Sequence, residues 1–202
     1  MKLFYSPTSP YVRKVMVTLH ETHQLDAVAL ETRQGTPLNS DAMPLAHNPL
    51  GKVPALERPD GPALYDSRVI TRYLDDRAKA NLYPEGARLW DSLTLEATGD
   101  GILDAALAMT YEARLRPQAK QMPEIADGQW AKIARACATL NTRWMAHLSG
   151  PLDIGQIAVG CALAYVDFRH DARGWRAGND ALAQWYAAFS DRPSMVATVP
   201  EG

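Results

Sequence analysis

Residues 48–56 read Asn48-Pro49-Leu50-Gly51-Lys52-Val53-Pro54-Ala55-Leu56, with a proline directly after Val53 at the start of an apolar strand pattern. Proline donates no hydrogen bond to a β-ladder, so it belongs at the first residue or the edge of a strand. If the Val53–Pro54 bond is cis, the chain turns sharply there and Val53 presents its own N–H and C=O outward. Backbone groups exposed in this way form a clamp for an extended peptide.

The pair Asp66-Ser67 follows Leu56 at a distance of ten residues and opens the next helical pattern. At a helix start, a hydroxyl, free backbone N–H groups and a carboxylate can hold an amino-acid head group. A peptide clamp close in sequence to an amino-acid clamp predicts a small peptide ligand.

Short apolar strands alternate with helical patterns in the first 77 residues. Strands are predicted near residues 3–5, 28–30, 54–56 and 63–65. Ser9 is expected to cap the first helix and Pro10 to be its first residue. The order is β-α-β, an irregular connection over residues 31–50 with room for a short helix, and then β-β-α. Asp60-Gly61 between prolines predicts a hairpin with a loop longer than the tightest type.

The rest of the chain has helical periodicity and no convincing strand. Helices are predicted over residues 87–116, 124–148, 154–169 and 179–189. Asp153 and Gln156 have the spacing of a capping box at the start of the third. We therefore predict an α/β domain over 1–77, a linker over 78–86 and an all-α domain over 87–202.

Composition excludes several classes of function. The 202 residues carry a net charge of −2 without a basic run, so nucleic acid is not expected as a partner. No apolar stretch is long enough for a membrane span, and the first residues lack a signal-peptide pattern. Cys137 and Cys161 lie in helical patterns and are predicted to be buried and reduced, which favours a cytoplasmic location.

Neither a metal site nor a nucleotide site is predicted. His20 and His23 lack the i, i+4 spacing of a zinc-binding helix, and the other histidines are scattered. Gly51-Lys52 lacks the upstream glycine of a phosphate-binding loop.

In order and spacing, these motifs resemble the glutathione S-transferase family over nearly the whole chain, and in particular its bacterial YibF-like group. The resemblance lies in four stretches: residues 6–14, residues 48–54, Asp66-Ser67 and Arg192-Pro193-Ser194. Residues 100–104 and 165–169 suggest the bacterial group. The resemblance implies a thioredoxin-like first domain, an all-α second domain that forms the second-substrate pocket, glutathione as co-substrate, and a homodimer.

The resemblance also implies a hydroxyl that lowers the pKa of the glutathione thiol. Ser9 is the candidate, because Ser-type members carry the active hydroxyl just before the proline that starts the helix. Alternatively, Ser9 only caps that helix, and Thr8 or Ser6 contacts the thiol. Tyr5 carries another hydroxyl but is expected in the core. The turn has no cysteine, which argues against a mechanism through a mixed disulfide with the protein.

The remaining glutathione contacts are carried over by motif. Val53 and Pro54 are expected at the cysteinyl part, and Asp66 with Ser67 at the γ-glutamyl end. Lys52 either faces the glycine carboxylate or is solvated. Arg13 and Lys14 on the first helix are expected to form a solvated face.

Four residues of the helix predicted over 87–116 are candidates for contacts to the second substrate or to a partner subunit. Asp100 is a candidate contact to the glutathione of a partner subunit. Met109, Tyr111 and Arg114 either line the second-substrate pocket or belong to the core. The predicted function is transfer of the thiol to a mostly apolar electrophile. A glutathione-dependent peroxidase or reductase, and a glutathione-binding protein without turnover, remain alternatives.

Overall fold

The computed structural model describes residues 1–200 and forms two compact units. The first unit comprises Met1–Glu85 together with the segment from Pro193 onward, and the second comprises Gly86–Arg192. The sequence assigned the whole of 87–202 to the second domain. The end of the chain therefore differs from that prediction.

A four-stranded mixed sheet forms the centre of the first unit. Its strands are β1 (Lys2–Tyr5), β2 (Ala29–Thr32), β3 (Ala55–Arg58) and β4 (Gly61–Leu64). The strand order is β2-β1-β3-β4, with β1 parallel to β2 and both other pairs antiparallel. The β-α-β and β-β-α order predicted from the sequence is confirmed.

Two longer helices pack with the sheet in the first unit: α1 (Pro10–Glu21) and α2 (Ser67–Ala78). Apolar residues of α1 recur at helical spacing, so one face of the helix is buried. The resulting core contains Leu3, Val15, Leu19, Val28, Leu56, Ile70 and Leu74. This core holds the end of β1 and the starts of α1 and α2 in fixed positions within the unit.

The hairpin between β3 and β4 is tighter than the sequence predicted. Arg58 pairs with Gly61, so only Pro59 and Asp60 lie in the turn. Pro62 does not prevent this, because β4 is an edge strand and one ladder hydrogen bond fewer is tolerated there. Between β2 and β3, residues 33–50 form turns and an isolated bridge from Thr36 to Asn39, without a helix.

The second unit is entirely helical, as predicted. Its helices are α3 (Ala87–Leu115), α4 (Pro123–Thr139), α5 (Met145–Leu148), α6 (Ile154–His170) and α7 (Asp180–Ser190). A π-helical turn, Leu140–Trp144, interrupts the helix that the sequence predicted over 124–148. Asn141 in this turn accepts a hydrogen bond from Leu182 N at 3.0 Å, so the widened turn caps the start of α7.

Helix α6 is the buried centre of the second unit. Its residues Ile154–Val166 are all buried, and the predicted capping box of Asp153 and Gln156 is present at its start. Gly99 on α3 lets the two helices approach closely, because a Cβ there would lie 2.7 Å from a backbone atom of Ala158. No helix within residues 1–200 combines the length and the apolar character needed to cross a membrane.

The segment after the second unit returns to the first through a short helix, α8 (Pro193–Val196). Arg13 Nη2 donates to the backbone carbonyl of Met195 at 2.9 Å, and its Nε donates to Thr198 Oγ1 at 3.3 Å. Arg13 is 8% exposed and Lys14 is fully buried. The prediction that Arg13 and Lys14 form a solvated face is therefore wrong. For Arg13 the reason is that the end of the chain packs on α1.

Candidate functional site

The turn between β1 and α1 carries the predicted hydroxyls. Ser9 is the N-cap of α1, with extended backbone angles of φ −80° and ψ 121°, and Pro10 opens the helix. The Ser9 Oγ accepts a hydrogen bond from Val12 N at 3.4 Å. Since a hydroxyl has one donor proton besides its two acceptor lone pairs, capping leaves the proton of Ser9 available to a ligand.

The neighbouring hydroxyls are engaged differently. Ser6 Oγ and Thr8 Oγ1 lie 3.5 Å apart, within hydrogen-bond distance of each other. Ser9 N donates to the Ser6 carbonyl at 3.1 Å, which closes the turn. Tyr5 packs against the apolar core of the unit, in line with its expected core position.

The Val53–Pro54 peptide bond is cis, as the sequence prediction required. The ladder between β1 and β3 begins at Ala55, which pairs with Phe4. Within residues 1–200, the backbone N–H and C=O of Val53 form no hydrogen bond with another backbone group. They are available to pair with an extended ligand.

Asn48 orders the loop that precedes Val53, a role that the sequence analysis missed. Its Nδ2 donates to the Lys52 carbonyl at 2.9 Å, and its Oδ1 accepts from Leu50 N at 3.0 Å. The residue is 2% exposed. The only signal in the sequence is the Asn48-Pro49 pair, which is typical of a turn but indicates no particular partner.

Asp66 and Ser67 lie at the start of α2, where the sequence placed them. Asp66 is the N-cap: its Oδ1 accepts from Arg68 N at 3.0 Å, and its Oδ2 lies 3.2 Å from Arg68 Nη2. Ser67 is the first helical residue and is 2% exposed. The Tyr65–Asp66 peptide bond is also cis.

The carboxylate of Asp66 is ionised at neutral pH. Partial burial is the largest single influence and raises the pKa of Asp66, but hydrogen bonds from Arg68 and the charges of Arg68 and Lys14 together lower it. The Asp66 side chain remains 55% exposed. It can therefore meet a cationic amine from solvent while it caps α2.

Lys52 has an exposed side chain at the end of the loop that Asn48 orders. Ser9, Val53, Asp66 and Ser67 thus all lie in the first unit, at or next to elements that share its core. Lys52 directly precedes Val53. None of these side chains forms a metal-binding group: within residues 1–200 no cluster of three or more His, Cys, Asp or Glu residues is suited to a metal ion.

The four candidates on α3 have different environments within the second unit. Asp100 is 7% exposed and Met109 is 5% exposed, so both are largely enclosed by the chain itself. Tyr111 is half-buried, and burial raises the pKa of its hydroxyl, with a smaller contribution from Tyr165. Arg114 is exposed.

Two family models match this chain. One describes the glutathione S-transferase N-terminal domain and matches residues 8–77; the other describes the C-terminal domain and matches residues 123–188. The chain belongs to the glutathione S-transferase family. The resemblance inferred from the sequence is confirmed, as is the thioredoxin-like fold of the first unit followed by an all-helical region.

Individual relatives agree with this assignment. An uncharacterized GST-like protein of Escherichia coli K12, YibF, is 32% identical over 99% of this chain and 98% of its own length. A glutathione transferase family member from Pseudomonas fluorescens Pf-5, solved with bound glutathione, is 49% identical with a TM-score of 0.96. The match covers 100% of this chain and 99% of that one.

A second structure from Pseudomonas fluorescens Pf-5 contains bound S-(propanoic acid)-glutathione. It is 48% identical, has a TM-score of 0.93, and the match covers 100% of both chains.

Proposed function

We propose that this protein is a glutathione transferase that activates the glutathione thiol through the hydroxyl of Ser9. The observation that carries the proposal is the Ser9–Val12 contact at the start of α1. The oxygen of Ser9 accepts a hydrogen bond there, which leaves its proton free to donate to sulfur. The bound glutathione of a relative that is 49% identical supports the choice of ligand.

The energetics are sufficient without a metal or a catalytic base. A free thiol of this kind titrates near pH 8.5, and lowering its pKa by about 2 units requires about 2.7 kcal/mol of preference for the thiolate. A hydrogen bond to a charged group contributes about 1.5–3 kcal/mol. The N-terminus of α1 adds about 0.3–1 kcal/mol.

Glutathione is held, in this proposal, by three further groups of the first unit. The free N–H and C=O of Val53, beside Pro54, pair with the cysteinyl backbone, as in strand addition. Asp66 accepts from the γ-glutamyl amine, and Ser67 binds its carboxylate at the start of α2. Lys52 attracts the glycine carboxylate.

In this proposal, Tyr111 and Arg114 of the second unit contact the electrophile, whereas Met109 packs in the helical core. The S-(propanoic acid)-glutathione bound by a relative that is 48% identical carries a substituent on sulfur, which is what conjugation leaves behind. We also propose a homodimer in which Asp100 meets the glutathione of the partner, supported by the family membership; sedimentation velocity tests it.

Conjugation of a chloronitroarene, followed by absorbance, tests the proposed activity. We expect wild-type turnover with glutathione and a loss of about tenfold or more in kcat/KM for Ser9→Ala. Glutathione binding without any turnover would favour the binding-protein alternative. If Ser9→Ala lowers stability but leaves turnover unchanged, Ser9 acts only as a helix cap.

A further inference from the structure

Arg169, near the end of α6, has a buried donor that nothing in the described chain satisfies. Its Nε is buried and has no hydrogen-bond partner within residues 1–200. Its guanidinium lies 3.8 Å from the ring centroid of Phe168. Its neighbours are paired: Arg173 contacts Asp127 at 2.8 Å, and Arg176 contacts Asp167 at 2.7 Å.

An unsatisfied buried donor in a folded protein is uncommon and requires an explanation, such as an acceptor that water or a ligand supplies. Arginine matches the planar carboxylate group with two parallel N–H donors, so an organic acid is the natural acceptor. The stacked ring of Phe168 restricts the guanidinium before any ligand arrives, which reduces the entropy lost on binding.

Aromatic side chains continue from Phe168 toward α3. The rings of Tyr165 and Phe168 have centroids 6.5 Å apart, and Tyr165 is 3% exposed. Burial raises the pKa of Tyr111 on α3, and Tyr165 adds to this shift. Its hydroxyl therefore stays protonated at neutral pH and can donate a hydrogen bond.

We propose that Arg169, together with the hydroxyls of Tyr111 and Tyr165, binds the carboxylate of an acidic aromatic electrophile, which is the second substrate of this protein. The three rings provide apolar contact for the body of such a molecule. The sequence predicted a mostly apolar substrate, and this proposal adds a carboxylate to it. The role of this ligand as a substrate rests on the transferase activity proposed above. The binding of a carboxylate at Arg169 does not depend on that activity.

If Arg169 has only a structural role, its substitution should have an effect that differs from the one expected for a carboxylate-binding site. Cations in the last turn of a helix are stabilised by the helix dipole whether or not a ligand is bound. In that case, loss of Arg169 lowers stability and affects acidic and neutral substrates equally. The experiment therefore compares two electrophiles that differ only in charge.

The probes are a chloronitrobenzoate, with chlorine para to the carboxylate and ortho to the nitro group, and the corresponding benzamide. In both, sulfur forms a bond to the ring carbon that bears chlorine. The C–Cl bond then breaks, chloride leaves with the bonding electrons, and the thiol proton passes to solvent. Each kcat/KM is divided by the uncatalysed rate with glutathione, which removes the difference in intrinsic reactivity.

We expect the wild type to prefer the acid, and Arg169→Gln to lower its kcat/KM by about tenfold to hundredfold with the amide unchanged. Tyr111→Phe should produce a smaller loss in the same direction. Arg173→Gln is the matched control, because Arg173 lies one turn further on and is already paired with Asp127. Equal losses for acid and amide in Arg169→Gln, or no preference in the wild type, would overturn the proposal.

Binding of unreactive analogues separates this inference from the proposed activity. If neither chlorinated probe is turned over, nitrobenzoate and nitrobenzamide are titrated into the full-length protein by calorimetry. Tighter binding of the acid, lost in Arg169→Gln, supports the carboxylate site although the transferase proposal fails. Equal affinities for acid and amide overturn the inference.

Discussion

The Nε2 of His170 donates a hydrogen bond to the backbone carbonyl of Ala106 across 2.8 Å, which ties the end of α6 to the middle of α3. Burial lowers the pKa of His170; the hydrogen bond to Ala106 opposes this shift, and the charges of Arg173 and Arg169 add to it. The folded protein therefore favours the neutral imidazole.

This shift predicts a dependence of stability on pH. The unfolded chain binds the proton near pH 6.5, whereas the folded chain binds it only at lower pH. The stability contributed by neutral His170 is thus present above about pH 6.5 and is lost as the pH falls through the folded pKa. Between about pH 7 and 5, the free energy of unfolding should fall more in the wild type than in His170→Gln.

Urea unfolding at a series of pH values measures this difference. His23→Asn is the control, because His23 is exposed and asparagine tolerates its left-handed backbone. It should follow the wild type. Parallel pH curves for the wild type and His170→Gln would contradict the prediction.

Asn48 should matter for both stability and ligand binding. Its side chain makes two hydrogen bonds within the loop that leads to Val53 and is almost fully buried. Asn48→Ala should lower the free energy of unfolding by about 1–3 kcal/mol and weaken glutathione binding, since the loop loses its anchor. Denaturant unfolding and calorimetry measure the two effects.

Asn39 offers a matched control for this change. It accepts a hydrogen bond from Asp41 N at 3.0 Å but is exposed. Asn39→Ala should leave both quantities nearly unchanged. If Asn48→Ala bound glutathione as tightly as the wild type, the loop would not position the ligand.

Asp153 stabilises the second unit. Its side chain is 1% exposed, and its Oδ2 lies 2.6 Å from His147 Nε2, 2.8 Å from Ser92 Oγ and 3.2 Å from Arg88 Nη2. Asp153→Ala should lower the free energy of unfolding by about 3–5 kcal/mol, because it removes a helix cap and leaves buried donors unpaired. Denaturant unfolding checks this, and a loss below about 1 kcal/mol would contradict it.

Asp66 can be tested for ligand binding separately from capping. Asparagine is as good an N-cap as aspartate but lacks the negative charge. Asp66→Asn should leave the free energy of unfolding nearly unchanged and weaken glutathione binding by about 1–3 kcal/mol. Asp76→Asn, at an exposed position near the end of α2, is the control. Unaltered affinity in Asp66→Asn would remove the proposed contact to the γ-glutamyl amine.

Local sequence signals predicted the elements that position the site. The helix start at Ser9-Pro10 and the Asp153 capping box were predictable because each depends on residues a few positions apart. The cis bond at Pro54 was a condition of the predicted clamp and was implied by the family resemblance. The helix bounds followed from apolar periodicity. The π-helical turn that begins at Leu140 was not predictable, since its Asn141 caps a helix some forty residues later.

Long-range contacts explain why the sequence did not predict the environments of Arg13 and Arg169. Arg13 and Lys14 have the composition of a solvated helix face, yet Arg13 binds the backbone of a segment almost at the other end of the chain. Arg169 likewise resembles an ordinary cation at a helix end. Only the structure shows that Arg173 is paired with Asp127 while the Nε of Arg169 is buried and has no partner among residues 1–200.

The pKa of the bound glutathione thiol reports directly whether Ser9 activates the ligand. Thiolate absorbance of the complex, titrated against pH, measures it in the wild type and in Ser9→Ala. We expect a value about 2 units below the free thiol in the wild type, rising by about 1–2 units in Ser9→Ala. Ser6→Ala and Thr8→Val should leave it unchanged. A bound thiol that titrates as in free solution, or one whose pKa Ser9→Ala does not shift, would show that Ser9 does not activate glutathione.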